Sequence, residues 1–416
     1  MKYFDWLKPG IYIKRWIIIG IIGGFLICIG IYPYISAFLN ENLNSKNFYF
    51  VILCAGILIV AVSVWKAICS LLSLLEISNA TELLSYKLRE KDRLERGSKI
   101  VVIGGGTGLS VILRGIKKLT SNITVVVTTM DDGGGSGVLR EDLGMLPPGD
   151  IRSCILALAD TEEDMQELFQ YRFKEGRLTG QSFGNLFIAA LTGVYESFEK
   201  AVAKIHDVLA VKGRVIPVTA EDVTLCAELK NGEVIKGESK IAKGVLSSKS
   251  PIKRVYIEPS MVAPLDGVIP AIKDADIIIL GPGSLYTSII PNLLVNDIVD
   301  ALTEVNSPKI YITNIMTQPG ETDDYTVSDH IHAIQRHAGK KVIDAIIVNN
   351  EKMPDDILIK YKEDGAVPIY ITRKEAKKLK KEGIQIYEDA CADIKLGYIR
   401  HDADKIAEMI TKITKN

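Results

Sequence analysis

The sequence is short of several features that would point to common protein classes. Its 416 residues hold six cysteines (Cys28, Cys54, Cys69, Cys154, Cys226 and Cys391), and none forms a CxxC pair. Neither a disulfide framework nor a zinc site is expected, and the thiols read as small buried hydrophobes. A basic excess is also missing. Lys and Arg number 50 against 51 Asp and Glu, for a net charge of −1, too little positive charge for a nucleic-acid partner. Of the five histidines, His330, His332 and His337 share one predicted helix without the i, i+4 spacing of a helical metal pair, and His206 and His401 have no visible partner. No Ser/His/Asp arrangement stands out, so nucleophilic catalysis is unsupported. Internal repeats and low-complexity tracts are absent.

Apolar length is what the sequence has in excess, and it is concentrated at one end. Trp16 to Leu39 is a run of 24 uncharged residues, and Phe48 to Trp65 is a second of 18, with Lys66 placed to snorkel. About 20 apolar residues in a helix cross a ~30 Å hydrocarbon core. The polar stretch Asn40–Asn47 separates the runs, which predicts a transmembrane helical hairpin with spans at about 16–39 and 48–66. A secretory signal fits poorly, because a second span follows at once and no small-residue cleavage site intervenes. Pro33 is tolerable in such a helix. Lys2, Lys8, Lys14 and Arg15 precede the first span, and Lys87, Arg89, Lys91, Arg93 and Arg96 follow the second. The loop holds only Lys46, so both flanks are expected in the cytoplasm of a two-span, multi-pass cell-membrane protein.

The expected organisation is therefore a membrane hairpin over 1–75, a linker helix over 76–97 and a cytoplasmic nucleotide-binding domain over 98–416. In the linker, Leu83, Leu84, Leu88 and Leu94 form an apolar stripe closed by Gly97-Ser98. It reads either as a self-associating coiled coil giving a homo-oligomer or as an amphipathic spacer near the bilayer.

From Lys99 onward, β-branched runs alternate with helix-length segments. Strands are expected at Lys99–Ile103, Ile123–Thr128, Asp276–Leu280, Lys309–Thr313 and Asp344–Val348. Helices are expected at Leu109–Leu119, Asp297–Val305 and Thr326–His337. This order predicts an α/β, Rossmann-like, mostly parallel sheet with helices on both faces. Thr224–Glu238, centred on Asn231-Gly232, reads as a small β-hairpin insertion.

In such sheets ligands sit beyond the carboxyl ends of the strands. Four strand ends here lead into polar or glycine-rich loops: Gly104–Gly108, Asp131–Gly137, Gly281–Ser284 and Asn314. In the first, Gly105, Gly106, Thr107 and Gly108 can bring backbone N–H groups to an anion at a helix N-terminus. This loop is neither a Walker loop nor a GxGxxG, and a packing-driven tight turn is the alternative. In the second, Asp131 and Asp132 precede Gly133, Gly134, Gly135, Ser136 and Gly137. One acid can hold a ribose hydroxyl, or one or both can hold Mg²⁺ through waters; a solvent-exposed acidic turn is the alternative. Pro147–Arg152 opens an apolar helix through Ala159. Asp150 reads either as its N-cap or as a ligand contact, and Arg152 as an anion contact. Asn185 either caps another helix or reads a base or sugar edge. Gly281, Gly283 and Ser284, with Tyr286, Thr287 and Ser288 beyond, suit a second phosphate or a sugar.

Six ordered stretches, GGGTG, TTMDDGGGSG, PPGDIR, GNLFIAAL, GPGSLYTSIIPNLL and TNIMTQPGETDDY, resemble the bacterial gluconeogenesis-factor (YvcK-like) family. That family lies within the CofD-like superfamily, with the 2-phospho-L-lactate transferases of deazaflavin coenzyme synthesis. The resemblance spans about Lys99 to Lys415. It implies a Rossmann-like domain and a UDP-sugar ligand such as UDP-N-acetylglucosamine. It also implies a regulatory role in cell shape and envelope synthesis on gluconeogenic carbon, read by a protein partner, rather than an enzyme. By that likeness the loops at Gly104–Gly108 and Gly281–Ser284 flank the phosphates, Asp131 and Asp132 lie near a metal, and Asn185 belongs to the pocket. The alternative is a Mg²⁺-dependent transferase moving a phosphorylated group from a nucleotide.

Overall fold

The computed structural model describes residues 13–38, 46–74, 88–160, 163–395 and 397–414. Two compact units result, Met1–Asp92 and Arg93–Asn416.

In the first unit, the apolar runs form helices at Ile13–Phe38 and Lys46–Leu74, packed against each other. Both are long and apolar enough to cross a membrane. Glycine makes the close approach possible. A Cβ on Gly30 would lie 2.7 Å from the Leu53 backbone, and one on Gly56 would lie 2.8 Å from the Ile27 nitrogen. Small residues at such contacts let helix backbones meet where apolar surroundings supply no hydrophobic drive. Ser63 is buried in the same seam, its hydroxyl donating to the Trp16 carbonyl. Ile21, Phe25 and Leu58 point outward, each about two-thirds exposed. The second helix continues past Lys66, because one lysine is a good helix former and does not stop the run. Lys2, Lys8, the loop from Asn40 to Ser45, the linker start at Glu76, and Leu83, Leu84 and Lys87 lie outside the described residues. Of the linker, residues 88–95 are helical. Leu88 is exposed and Leu94 buried; the Leu94 carbonyl accepts from the N–H groups of Gly97 and Ser121.

The second unit is built on a seven-stranded, all-parallel sheet. Its strands are β1 (Ile100–Gly104), β2 (Ile123–Val127) and β3 (Arg214–Pro217). Between these and the next parallel strand, β4 (Thr224–Leu229), β5 (Val234–Lys236) and β6 (Ile252–Glu258) make an antiparallel sheet in the order β5-β4-β6. The parallel series resumes with β7 (Ile277–Leu280), β8 (Lys309–Ile312), β9 (Ala345–Asn349) and β10 (Gln385–Asp389). A final antiparallel hairpin joins β11 (Ala392–Lys395) to β12 (Tyr398–His401).

The expected strands are all present, with ends shifted by a residue or so, and the hairpin turns at Asn231-Gly232 with Gly232 at φ 90°. Its partner β6 was not visible as a pattern, since Ile252–Glu258 mixes charged and apolar residues on an open face. Strand alternation splits the core in two. Val101 and Ile103 pack with the antiparallel sheet's Leu225 and Ile257 on one face. Ile100 and Val102 pack with Leu109, Ile112, Ile155 and Ile410 on the other. Each fully buried aliphatic side chain contributes roughly 1.5–3 kcal/mol.

Sheet order is β10-β9-β8-β7-β1-β2-β3. The chain winds outward one way from β1 and the other way from β7, so the topological switch point lies between these neighbours, where Ile103 pairs with Leu280.

Candidate functional site

Beyond that switch point lies an open cleft of about 570 Å³. The loops after β1 and β7 form its floor and touch backbone to backbone. A Cβ on Gly283 would lie 2.9 Å from the Gly105 carbonyl oxygen. Gly105 is equally constrained: a Cβ there would lie 2.6 Å from Thr128 Cγ2 and 2.7 Å from Asp150 Oδ2. The helix Gly106–Ile116 starts directly over the cleft, and Gly106, Thr107 and Gly108 line it. One N–H of this helix start is already taken, since Gly106 donates to Asp150 Oδ2 at 2.6 Å.

That bond overturns the reading of Asp150 as a cap of its own helix. The helix runs Gly149–Leu158 with Pro148 as N-cap, and the Asp150 side chain turns instead to β1's loop. Burial pushes its pKa up to about 6, with the nearby Asp131 carboxylate adding to the rise. Asp131 also lines the cleft, accepts from the Gly133 N–H at 2.8 Å and is raised by burial. The two carboxyls stand with Thr128, whose buried hydroxyl has no hydrogen-bond partner.

Asp132 points elsewhere: its Oδ1 accepts from the Ser239 N–H at 2.8 Å. The glycines after it are not an unpacked loop. Gly134 opens a helix through Leu143, and a Cβ on Gly135 would lie 2.8 Å from Gln181 Oε1. Ser136 is buried against Gly149.

Arg152 and Asn185 come together, but not on the cleft wall. Arg152 Nη1 donates to Asn185 Oδ1 at 2.8 Å and to the Ser182 hydroxyl. Ser182, not Asn185, is the N-cap of the helix Phe183–Tyr195, its hydroxyl accepting from the Asn185 N–H. Gly180–Gly184 spells G-x-S-x-G. Ser182 is wholly buried in this cap and is no exposed nucleophile.

After β7, Gly281 (φ 73°) turns the chain into a π-helical turn, Leu285–Ile289. Gly283, Ser284, Thr287 and Ser288 line the cleft, while Tyr286 faces the core and shares a hydrogen bond with the Tyr325 hydroxyl at 2.7 Å. Asn314 follows β8 on the same rim. It donates to Gln318 Oε1 at 3.3 Å, and Gln318 Nε2 donates to Ser284 Oγ at 2.6 Å. Of the residues singled out from sequence, Gly106, Thr107, Gly108, Asp131, Asp150, Gly283, Ser284, Thr287, Ser288 and Asn314 line the cleft. Gly105, Asp132, Gly133, Gly134, Ser136, Arg152, Asn185 and Gly281 do not line it.

Two parts of the wall carried no sequence signal. Tyr361 and the β12 residues Tyr398, Arg400 and His401 close one side. His401 Nε2 donates to the Thr313 carbonyl at 3.0 Å, and burial holds its pKa down to about 4, so it is neutral at physiological pH. On another side stands Glu238, raised by burial and neighbouring carboxylates to about 7. Neither belongs to a glycine motif.

The pattern of the 2-phospho-L-lactate transferase CofD family matches residues 100–392. The gluconeogenesis factor of Bacillus subtilis is 45% identical over 318 residues, covering 76% of this chain and 98% of that protein. The chain belongs to the gluconeogenesis-factor family, within the CofD-like superfamily. A relative from Clostridium acetobutylicum is 49% identical across 99% of this chain and 92% of its own length, so its alignment includes the N-terminal helices. A crystal structure of a UPF0052-family protein from Bacillus halodurans superposes with a TM-score of 0.71 at 42% identity, covering 75% of this chain and 98% of that one. The α/β domain therefore stands alone in some gluconeogenesis-factor relatives and follows further sequence in others. The CofD pattern ends at residue 392, so the Tyr398–His401 wall lies beyond it.

Proposed function

We propose that this gluconeogenesis-factor relative is a membrane-anchored regulatory protein that binds a UDP-sugar of the UDP-N-acetylglucosamine type, in support of cell shape and envelope synthesis. The observation that carries the reading is the pair of glycine-rich strand ends packed backbone to backbone at the switch point. Glycine at these positions lets a diphosphate approach the backbone N–H donors, and the Gly106–Ile116 dipole favours its charge. Ser284, Thr287, Gln318 and Asn314 supply the polar rim for ribose and sugar, and Arg400 supplies a cation. The two N-terminal helices, with lysine and arginine flanking them, support a bilayer hairpin with the domain on the cytoplasmic side. A partner protein would read the liganded state.

Mg²⁺ fits the donor set at Asp131 and Asp150 better than at Asp131 and Asp132, since Asp131 and Asp150 both line the cleft and Asp132 does not. Among the described residues no three His, Cys, Asp or Glu side chains converge as a ready metal site. Mg²⁺ asks less, because it keeps several waters and takes one or two carboxylates plus phosphate oxygens. These same acids, with the CofD pattern, favour a second reading: transfer of a phosphorylated group from a nucleotide, with Mg²⁺ neutralising the phosphates.

A ligand panel of melting experiments on the chain from Ser98 onward, with and without Mg²⁺, separates the readings. At a hundred times its Kd, a ligand stabilises by about 2.7 kcal/mol. A regulator gains that from UDP-N-acetylglucosamine and turns nothing over. A transferase consumes nucleotide only with Mg²⁺, and Asp131→Asn abolishes the consumption. No stabilisation by any UDP-sugar sinks the first reading.

A further inference from the structure

The helix Glu238–Ser248 does not belong to the parallel sheet's crossovers. It leaves β5 of the antiparallel sheet through Gly237, whose φ of 99° suits glycine alone. The first residue of this helix is nonetheless a wall of the cleft. What brings it there is Asp132, which takes the Ser239 N–H, one of the helix's orphan donors, at 2.8 Å. Gly133 faces Ser239 closely, at 3.3 Å from a Cβ built on the glycine. Asp131 and Asp132 thus look opposite ways: one faces the cleft, the other grips the insertion.

Glu238 itself has no Lys or Arg partner among the described residues. Its neighbours are the carboxyls of Asp131, Asp132 and Glu321 and the Thr287 hydroxyl. With no cation beside it, this carboxyl gives a diphosphate no counter-charge and suits a neutral partner that can both donate and accept hydrogen bonds. Hydroxyl and acetamido groups do both, and the glycine loops leave the Glu238 side of the cleft to them.

Resting on the nucleotide-sugar reading, we propose that Glu238 contacts the sugar and sets selectivity for it, and that Asp132 is a positioning residue acting only through Glu238.

The test measures affinity of the full-length chain in detergent for UDP-N-acetylglucosamine and for UDP, with ligand-free melting as a folding control. Glu238→Ala is expected to weaken the sugar nucleotide about tenfold, the loss for one hydrogen bond, and to leave UDP unchanged. Glu238→Gln, which keeps donor and acceptor, stays within about threefold of wild type. Asp132→Ala reproduces the Glu238→Ala loss, and the double variant is no weaker than Glu238→Ala alone. Equal losses on both ligands, no loss in Glu238→Ala, or additive losses in the double variant overturn the assignment. A wild-type chain that binds neither ligand overturns the functional reading instead, and this inference with it.

Discussion

Replacing Asp150 by Asn tests the electrostatics of the cleft directly. In the folded domain this carboxyl titrates at about 6 against an ordinary value of 3.8. Loss of water on burial is the main cause, and Asp131 adds to it, while the Gly106 N–H and Arg152 oppose both. An acid with a raised folded pKa holds its proton more tightly when folded. Its stabilising effect is therefore complete below about pH 4 and is lost as pH climbs through about 6. At about 1.36 kcal/mol per pKa unit the loss has a ceiling of about 3 kcal/mol. The side chain keeps some solvent contact, and screening reduces the expected value to about 1–2 kcal/mol. Asn keeps an oxygen for the Gly106 N–H but carries no charge. Asp150→Asn should thus match wild type at about pH 4 and melt about 1.5–3 °C higher at about pH 7.5. Added Mg²⁺ should stabilise wild type and narrow the gap, with little effect on the variant. Thermal melting of the chain from Ser98 across that pH range, with Mg²⁺ or with chelator, reads all of this. Melting curves separated by a pH-independent offset would refute the reasoning.

Gly105→Ala should cost about 1–3 kcal/mol by overpacking against Thr128 and Asp150 and should weaken ligand binding, both visible by titration and melting. Gly30→Leu should separate the N-terminal helices, lowering disulfide crosslinking between cysteines introduced across their seam. His401 should stay neutral down to about pH 4, followed by its imidazole NMR signals. Because its folded pKa is depressed, it subtracts stability as pH falls from about 6.5 toward 4. Arg152→Ala should cost about 1–3 kcal/mol by leaving Asn185 Oδ1 and the Ser182 hydroxyl short of a donor, with UDP-sugar affinity much less affected than by Gly105→Ala.

Much of the scaffold could be read from residue order because parallel strands buried on both faces, such as Ile100–Gly104 and Ile277–Leu280, are continuous β-branched runs. Glycine loops at their ends marked the floor of the cleft for the same local reason. Side-chain direction was the part that could not be read. Asp131 and Asp132 are adjacent and chemically identical, yet only their distant partners, Gly133 and Ser239, tell which faces the cleft. Asp150 looked like a cap because caps are local, whereas its actual partner lies 44 residues earlier. Glu238, Tyr361 and Arg400 sit in ordinary helix and strand sequence and reach the cleft only through tertiary packing.

The position of β1 has a consequence for synthesis. It lies in the middle of the sheet between β2 and β7, and β7 begins at Ile277, far downstream. At about 5–20 residues per second, β1 waits roughly 10–35 s on the ribosome with one backbone edge unpaired. An open edge of that kind invites pairing with other chains. The cleft's last wall, at Tyr398–His401, arrives later still. Ligand binding therefore cannot guide the early sheet. It can only reward a chain that has already closed it.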